Sequence, residues 1–226
     1  MSTRAENDAE QAEKKERAAT FSATSGLREA LFGNSGEARQ RAGRAMAESA
    51  GVDVQYGAAL ALAYAGDNAG ARSAVTFLEK KFPEATIVQF NYLPTLRARI
   101  ALNGGNASEA LEALNAAAPY ELGRTTFSNY SWTGLYPVYV RGEAYLAAHQ
   151  ASEAAAEFQK ILDHRGIVWN APIGALAHLQ LGRAYAMQGD SAKARAAYND
   201  FLTLWKDADP GVPILRKAQE EYARLH

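Results

Sequence analysis

Cysteine is absent from the 226 residues. That excludes a disulfide framework, a thiolate nucleophile and any cysteine-ligated metal. Excess charge is absent too: 24 Lys and Arg against 25 Asp and Glu leave a net charge of −1. A chain so balanced carries no electrostatic footprint for nucleic acid and no polybasic membrane patch. No uninterrupted apolar run reaches the length a membrane-spanning helix needs, so no membrane insertion is expected. The first twenty residues, MSTRAENDAEQAEKKERAAT, lack the apolar core of a secretory signal. A cytoplasmic location is the expectation.

Catalytic patterns are missing as well. His149, His164, His178 and His226 never pair at helical spacing, and no HExxH occurs, so no metal site is expected. The glycine clusters Gly104-Gly105-Asn106 and Gly33-Asn34-Ser35-Gly36 lack the Lys-Ser/Thr of a phosphate loop. No serine sits in a nucleophile elbow. The reading is a non-enzyme without a cofactor.

What is present is a recurrence. Turn pairs fall at Gly33-Asn34, Gly66-Asp67, Gly105-Asn106, His149-Gln150 and Gly189-Asp190. Five residues after the first member of each pair stands Ala38, Ala71, Ala110, Ala154 or Ala194. Nine residues after it the side chain is apolar: Ala42, Val75, Leu114, Phe158 or Tyr198. The turns lie 33, 39, 44 and 40 residues apart, a period belonging to stacked helix hairpins. The shared alanine suits the point where two helix backbones come closest, and the larger residue one turn on fills the space beyond it.

The helical pattern follows. Residues 1–24 read as a polar helical extension with Glu10/Lys14 and Glu13/Arg17 at supporting i,i+4 spacing. Residues 25–208 read as the repeat array, with units near 25–50, 52–84, 86–118, 135–166 and 171–208. Phe82-Pro83 and Asp209-Pro210 are stop signals. Residues 213–226 form a last helix, apolar along Ile214, Leu215, Ala218, Tyr222 and Leu225 and charged elsewhere, suited to a cap. The fold expected is all-α, an α-solenoid of about five helix hairpins with a C-terminal capping helix.

Leu181-Gly182, Tyr185, Ala194, Tyr198 and Pro210 follow the tetratricopeptide pattern, with Gly142, Tyr145, Ala154 and Phe158 as a second copy. The chain resembles tetratricopeptide repeat proteins, which implies a right-handed superhelix. Stretches such as DVQYGAALALAYAGD, LYPVYVRGEAYLAA and FLTLWKDADPGVPILRKAQEEYARL resemble the C-terminal repeat region of acidobacterial serine/threonine protein kinases and winged-helix regulators. That resemblance implies a sensing or interaction module attached to an effector. No HRD or DFG string is present, so kinase activity does not carry over.

In such arrays the first helices line a concave groove that meets a partner segment. The positions offered are Asp53 and Tyr56; Tyr92, Thr95 and Arg99; Tyr136, Tyr139 and Glu143; and Leu179 and Arg183. Tyr56, Tyr92, Arg99, Tyr136, Tyr139, Glu143 and Arg183 are the candidate contacts with a protein or peptide partner, because tyrosine and arginine carry interface energy. The tyrosines equally suit packing between hairpins. Trp132 joins the candidates from the long segment 119–134, which holds Tyr120, Phe127 and Tyr130 as well; a segment like that either contacts a ligand or folds over a groove edge. The expected function is a protein-interaction scaffold or sensor. The alternative is an assembly subunit contacting neighbours through its ends and outer faces, with self-association left open.

Overall fold

The computed structural model describes residues 2–123 and 134–225, with side chains from residue 11 onward except residue 12. Among these residues all regular structure is helical: twelve α-helices and one π-helical segment. The fold is an all-α, tetratricopeptide-like helical repeat.

The chain forms two compact units, Met1–Pro83 and Glu84–His226. The division falls at Pro83, inside what the sequence presents as one continuous array. Proline lacks the N–H needed to extend the preceding helix, and helix ends where few contacts cross are natural boundaries.

Unit 1 holds α1 (Ser2–Phe32), α2 (Ser35–Glu48), α3 (Val52–Tyr64) and α4 (Asn68–Lys81). Helix α1 packs on both α2 and α3, and α3 packs on α4. The buried stripe of α1 runs through Ala19, Ala23, Leu27, Ala30 and Leu31, the i, i+4 spacing of one helix face. Ser49 Oγ donates to Glu16 Oε2, which ties α1 to the end of α2 a turn before that stripe. Packing therefore begins inside the segment 1–24 that reads as a polar helical extension. Small residues at 19 and 23, rather than large apolar ones, hide this start from a hydrophobicity reading. Helix α3 is buried continuously from Val54 to Ala63, so it behaves as a core helix apolar on all sides.

Unit 2 begins with a π-helical segment, Val88–Tyr92, running directly into α5 (Leu93–Asn103). Pro94 stands in the first turn of α5. Its missing N–H cannot bond the carbonyl four residues earlier, and the wider turn ahead of it, closed by Leu93 N–H to Val88 O, accommodates the defect. Then come α6 (Ala107–Leu114), α7 (Tyr136–Ala147), α8 (Ala151–Asp163), α9 (Arg165–Val168), α10 (Ile173–Met187), α11 (Ser191–Leu204) and α12 (Pro213–Ala223). Each later first helix packs on its own partner and on the second helix before it: α7 on α8 and α6, α10 on α11 and α8. The one-turn α9 occupies the connection 164–170.

The five turns share one geometry. Gly33, Gly66, Gly105, His149 and Gly189 all have positive φ, from 58° at His149 to 96° at Gly33. In each the residue after it donates its N–H to the carbonyl five positions back, as in Asn34 to Glu29, Asp67 to Leu62 and Asp190 to Tyr185. This is the left-handed Schellman closure of a helix C-terminus. In two of the turns an aspartate then caps the next helix: Asp67 accepts from Gly70 N–H at 2.9 Å and Asp190 from Lys193 N–H at 3.0 Å.

Ala38, Ala71, Ala110, Ala154 and Ala194 are all fully buried. The tightest approach lies just beside them. A Cβ added at Gly142 would sit 2.6 Å from the Phe158 ring, and one at Gly182 would sit 2.6 Å from Tyr198. At Gly26 it would meet the backbone of Ala38 and Ala42 at 3.3 Å. So the glycine of the first helix lets the second helix seat its aromatic residue.

This predicts opposite signs for two glycine substitutions. Gly142→Ala should lower stability by about 1–3 kcal/mol through overpacking against Phe158. Gly43→Ala, inside α2 with nothing within 4 Å of the added methyl, should raise it by roughly 0.5–1 kcal/mol. Denaturant midpoints at unchanged slope report both. His149 has the left-handed conformation of its four glycine counterparts without their freedom. His149→Gly should therefore stabilise the protein by about 1 kcal/mol, read as a higher thermal midpoint; a fall would show that the imidazole contributes more than its strain costs.

Candidate functional site

The first-helix face of unit 2 is built from α5, α7 and α10, closed at one end by α12. Its deeper layer is aromatic. Tyr92, Tyr136 and Tyr139 are at most 3% exposed, and in unit 1 Tyr56 is fully buried. Thr95 and Leu179 are buried as well. The Tyr139 ring meets Phe158 edge-on with centroids 5.7 Å apart. The four tyrosines are thus packing groups rather than the open contacts that the sequence offered. The reason is the close spacing of hairpins set by glycine and alanine, which draws first helices together until large side chains between them are enclosed.

Burial drives the Tyr136 and Tyr139 phenols well above the usual tyrosine range. At Tyr139 the Glu143 carboxylate adds to this, while a hydrogen bond from Gln180 and the charges of Arg183 and Arg99 oppose it. Neither phenol ionises near neutral pH. Tyr139 Oη instead accepts from Gln180 Nε2 at 3.0 Å.

Above the tyrosines runs a polar row. Arg99 on α5 donates to Glu143 on α7 at 3.1 Å and to Asn103 at 2.5 Å. Arg183 on α10 donates to Gln180 at 3.2 Å and, through two nitrogens, to both oxygens of Glu221 on α12 at 2.8 and 3.1 Å. Tyr198 of α11 donates to Glu221 Oε2 at 2.9 Å. Side chains of Arg99, Glu143, Arg183 and Glu221 are 16–22% exposed. Burial disfavours the Arg183 cation, but the hydrogen bonds and charge of Glu221 outweigh it, so its affinity for the proton is raised.

Of the expected contacts, the structure brings Arg99, Glu143 and Arg183 onto this partly open row. Trp132, with Phe127 and Tyr130, lies outside the described residues. Tyr120 stacks on Phe90 at 4.6 Å, and both rings are more than a third exposed. Trp169 is 65% exposed with a positive φ of 50°, an uncommon backbone conformation for so bulky a residue. Gln180 and Glu221 are members of the row that the sequence did not single out. Gln180 lies one helical turn before Arg183, a usable signal. Glu221 is 38 residues from Arg183, and no local pattern links them.

Among the described residues, no group of three or more histidines and carboxylates is placed to hold a metal ion. None of the described helices is long and apolar enough to cross a membrane. The tetratricopeptide repeat family model matches residues 139–213, from α7 to the first residue of α12. This portion of the chain is similar to a repeat that generally mediates protein–protein interaction, and the match indicates no enzymatic family. No curated protein matches the chain.

The bidentate pair makes α12 a test of the row's energetics. Glu221→Ala should cost about 2 kcal/mol, since it leaves Arg183 without its acid. In a cycle with Arg183→Ala the coupling should be about 1–2 kcal/mol. Hydrogen exchange in α12 should accelerate in step. A coupling near zero would mean that the buried Leu215 and Ala218 and the contacts of Tyr198 hold the helix.

Proposed function

We propose that the chain is a noncatalytic protein-interaction scaffold or sensor module that binds a partner segment along the first-helix face of its repeats. The observation that carries this reading is the partly exposed row Asn103, Arg99, Glu143 and Arg183, with Gln180 buried beside Arg183, over a buried tyrosine layer. It offers donors and acceptors on successive helices at fixed spacing, held rigid by packing beneath, and such preorganisation favours binding. The balanced charge supports a protein or peptide partner over nucleic acid. The resemblance to repeat regions of acidobacterial kinases and winged-helix regulators supports a sensing role in bacterial signalling, and a cytoplasmic setting goes with it.

The test is affinity capture with the immobilised chain against a double variant, Arg99→Ala with Glu143→Ala. Removing both members of the pair leaves neither charge facing its lost partner. Capture of a partner that uses this face should fall about tenfold or more, with the thermal midpoint moving only slightly. Undiminished capture of every bound protein would remove the face from the function.

A further inference from the structure

Two successive grooves of unit 2 are related by the repeat, and they differ in what fills them. The first lies over α7, between the end of α6 and α8. Glu121, from the turn after α6, is buried there at 4% exposure. Arg141 Nη2 donates to Glu121 Oε2 at 2.6 Å and Lys160 Nζ to Glu121 Oε1 at 3.0 Å. Glu157 accepts from the same arginine at 2.8 Å and from the same lysine at 3.5 Å. Burial disfavours the Arg141 cation, but the hydrogen bonds and charges of Glu157 and Glu121 outweigh it. The result is a neutral quartet of two acids and two bases, closing the groove with the chain's own carboxylate.

The second groove lies over α10, between α8 and α11. His149 follows Gly105 by 44 residues and Gly189 follows His149 by 40. A position counted from its nearest turn thus has a counterpart one repeat on, 44 residues on for Glu121 after the first turn and 40 residues on for positions flanking the second. Arg165 stands in the place of Glu121, Leu181 in that of Arg141, Ala197 in that of Glu157 and Asp200 in that of Lys160. Two charges are reversed and two are deleted. Where the quartet filled the first groove, the second keeps a cavity of about 340 Å³ lined by Leu162, Arg165, His178, Leu181, Ala197 and Asp200, among others. That volume is at the lower end of the ligand-pocket range.

We propose that this cavity binds a carboxylate side chain presented by an acidic segment of a partner protein, the intermolecular counterpart of Glu121. The charged groups around it differ in what already holds them. Asp163 accepts from Gln159 at 2.8 Å, and Lys193 pairs with Asp190 at 2.9 Å. Asp200 Oδ2 lies 3.7 Å from His178 Nδ1, beyond hydrogen-bond reach. Burial together with the Arg165 charge lowers the affinity of that imidazole for its proton against the pull of Asp200. Arg165, by contrast, makes no ion pair and no side-chain hydrogen bond among the described residues. Its fork matches a carboxylate in two-point geometry, and Leu162, Leu181 and Ala197 receive the methylenes and apolar neighbours of the incoming residue. This surface is distinct from the first-helix face, so either one can fail without the other.

The test uses the full chain and three peptide probes: acetyl-Leu-Glu-Leu amide, its Gln analogue and its Lys analogue, titrated by heteronuclear NMR. The Glu probe should shift the Ala196 and Ala197 amides and the His178 imidazole, and the Gln and Lys probes should not. Arg165→Ala, at an exposed position, should weaken the Glu probe about three- to fivefold. Asp200→Asn should strengthen it about twofold by removing the repelling acid. Preference for the Lys probe, abolished by Asp200→Asn, would overturn the proposal in favour of a basic occupant. The absence of any shift with the Glu probe, or an Arg165→Ala variant that binds it unchanged, would overturn it outright. Loss of capture by the Arg99 and Glu143 double variant bears on the first-helix face and leaves these outcomes untouched.

Discussion

Every hairpin in this chain closes through one residue in a left-handed backbone conformation, and the rest of the structure follows from that constraint. The left-handed residue reverses the chain within two positions and satisfies the last carbonyls of the incoming helix. It thereby fixes the register between the two helices. With register fixed, the residue nine on meets the glycine of the first helix at Gly26, Gly142 and Gly182. Phe158 over Gly142 and Tyr198 over Gly182 are the consequence. Four glycines adopt the turn freely, while His149 adopts it against its side chain because the packing on either side over-determines the conformation.

Close packing then decides what is exposed. Helices separated only by small side chains enclose whatever large residues lie between hairpins, so Tyr92, Tyr136 and Tyr139 become a buried layer. The groups that stay partly open are those long enough to reach past that layer, Arg99, Glu143 and Arg183. Each is tied to the next helix in the array or to the terminal one. The same charges therefore hold α5 to α7 and α10 to α12 and give the face its polarity. A face built this way is rigid, because reorienting any one guanidinium requires breaking an inter-helix bond.

The architecture was legible because turn chemistry and small residues recur at fixed offsets, and backbone geometry demands those residue types at those offsets. Glycine at Gly66 and Gly105 and aspartate at Asp67 are local signals, and local signals survive in a single sequence. The face was legible only in part. Tyrosine suits a groove and a core equally well, and which of the two prevails depends on inter-helix distance, a tertiary quantity. The start of packing on α1 was hidden for a related reason: Ala19 and Ala23 bury a helix face without a strong apolar signature. Glu221 was invisible because its partner lies two helices away. Arg141 did carry a signal, a full charge between Val140 and Gly142 on a helix buried from Tyr136 to Gly142. A charge in such a place needs acids to meet it, and Glu121 and Glu157 supply them.

Repetition also makes the chain its own reference. Two grooves of the same descent should be filled in the same way unless something else is to fill one of them. In the first, a buried carboxylate is balanced by two cations, an arrangement that adds little net stability over an apolar filling and is expensive to disturb. Retaining it fixes the turn after α6 against α7 and α8. In the second, the corresponding positions give up that balance: Leu181 and Ala197 remove one cation and one acid, and Arg165 is left at the rim facing the space they vacate. A simple loss of the quartet would have favoured larger apolar residues to restore packing, since voids forfeit dispersion contacts. Alanine at 197, where the first groove has Glu157, does the opposite and keeps the space open. The divergence between the copies, rather than the repeat they share, is what distinguishes a groove that the chain closes on itself from one that it leaves for another.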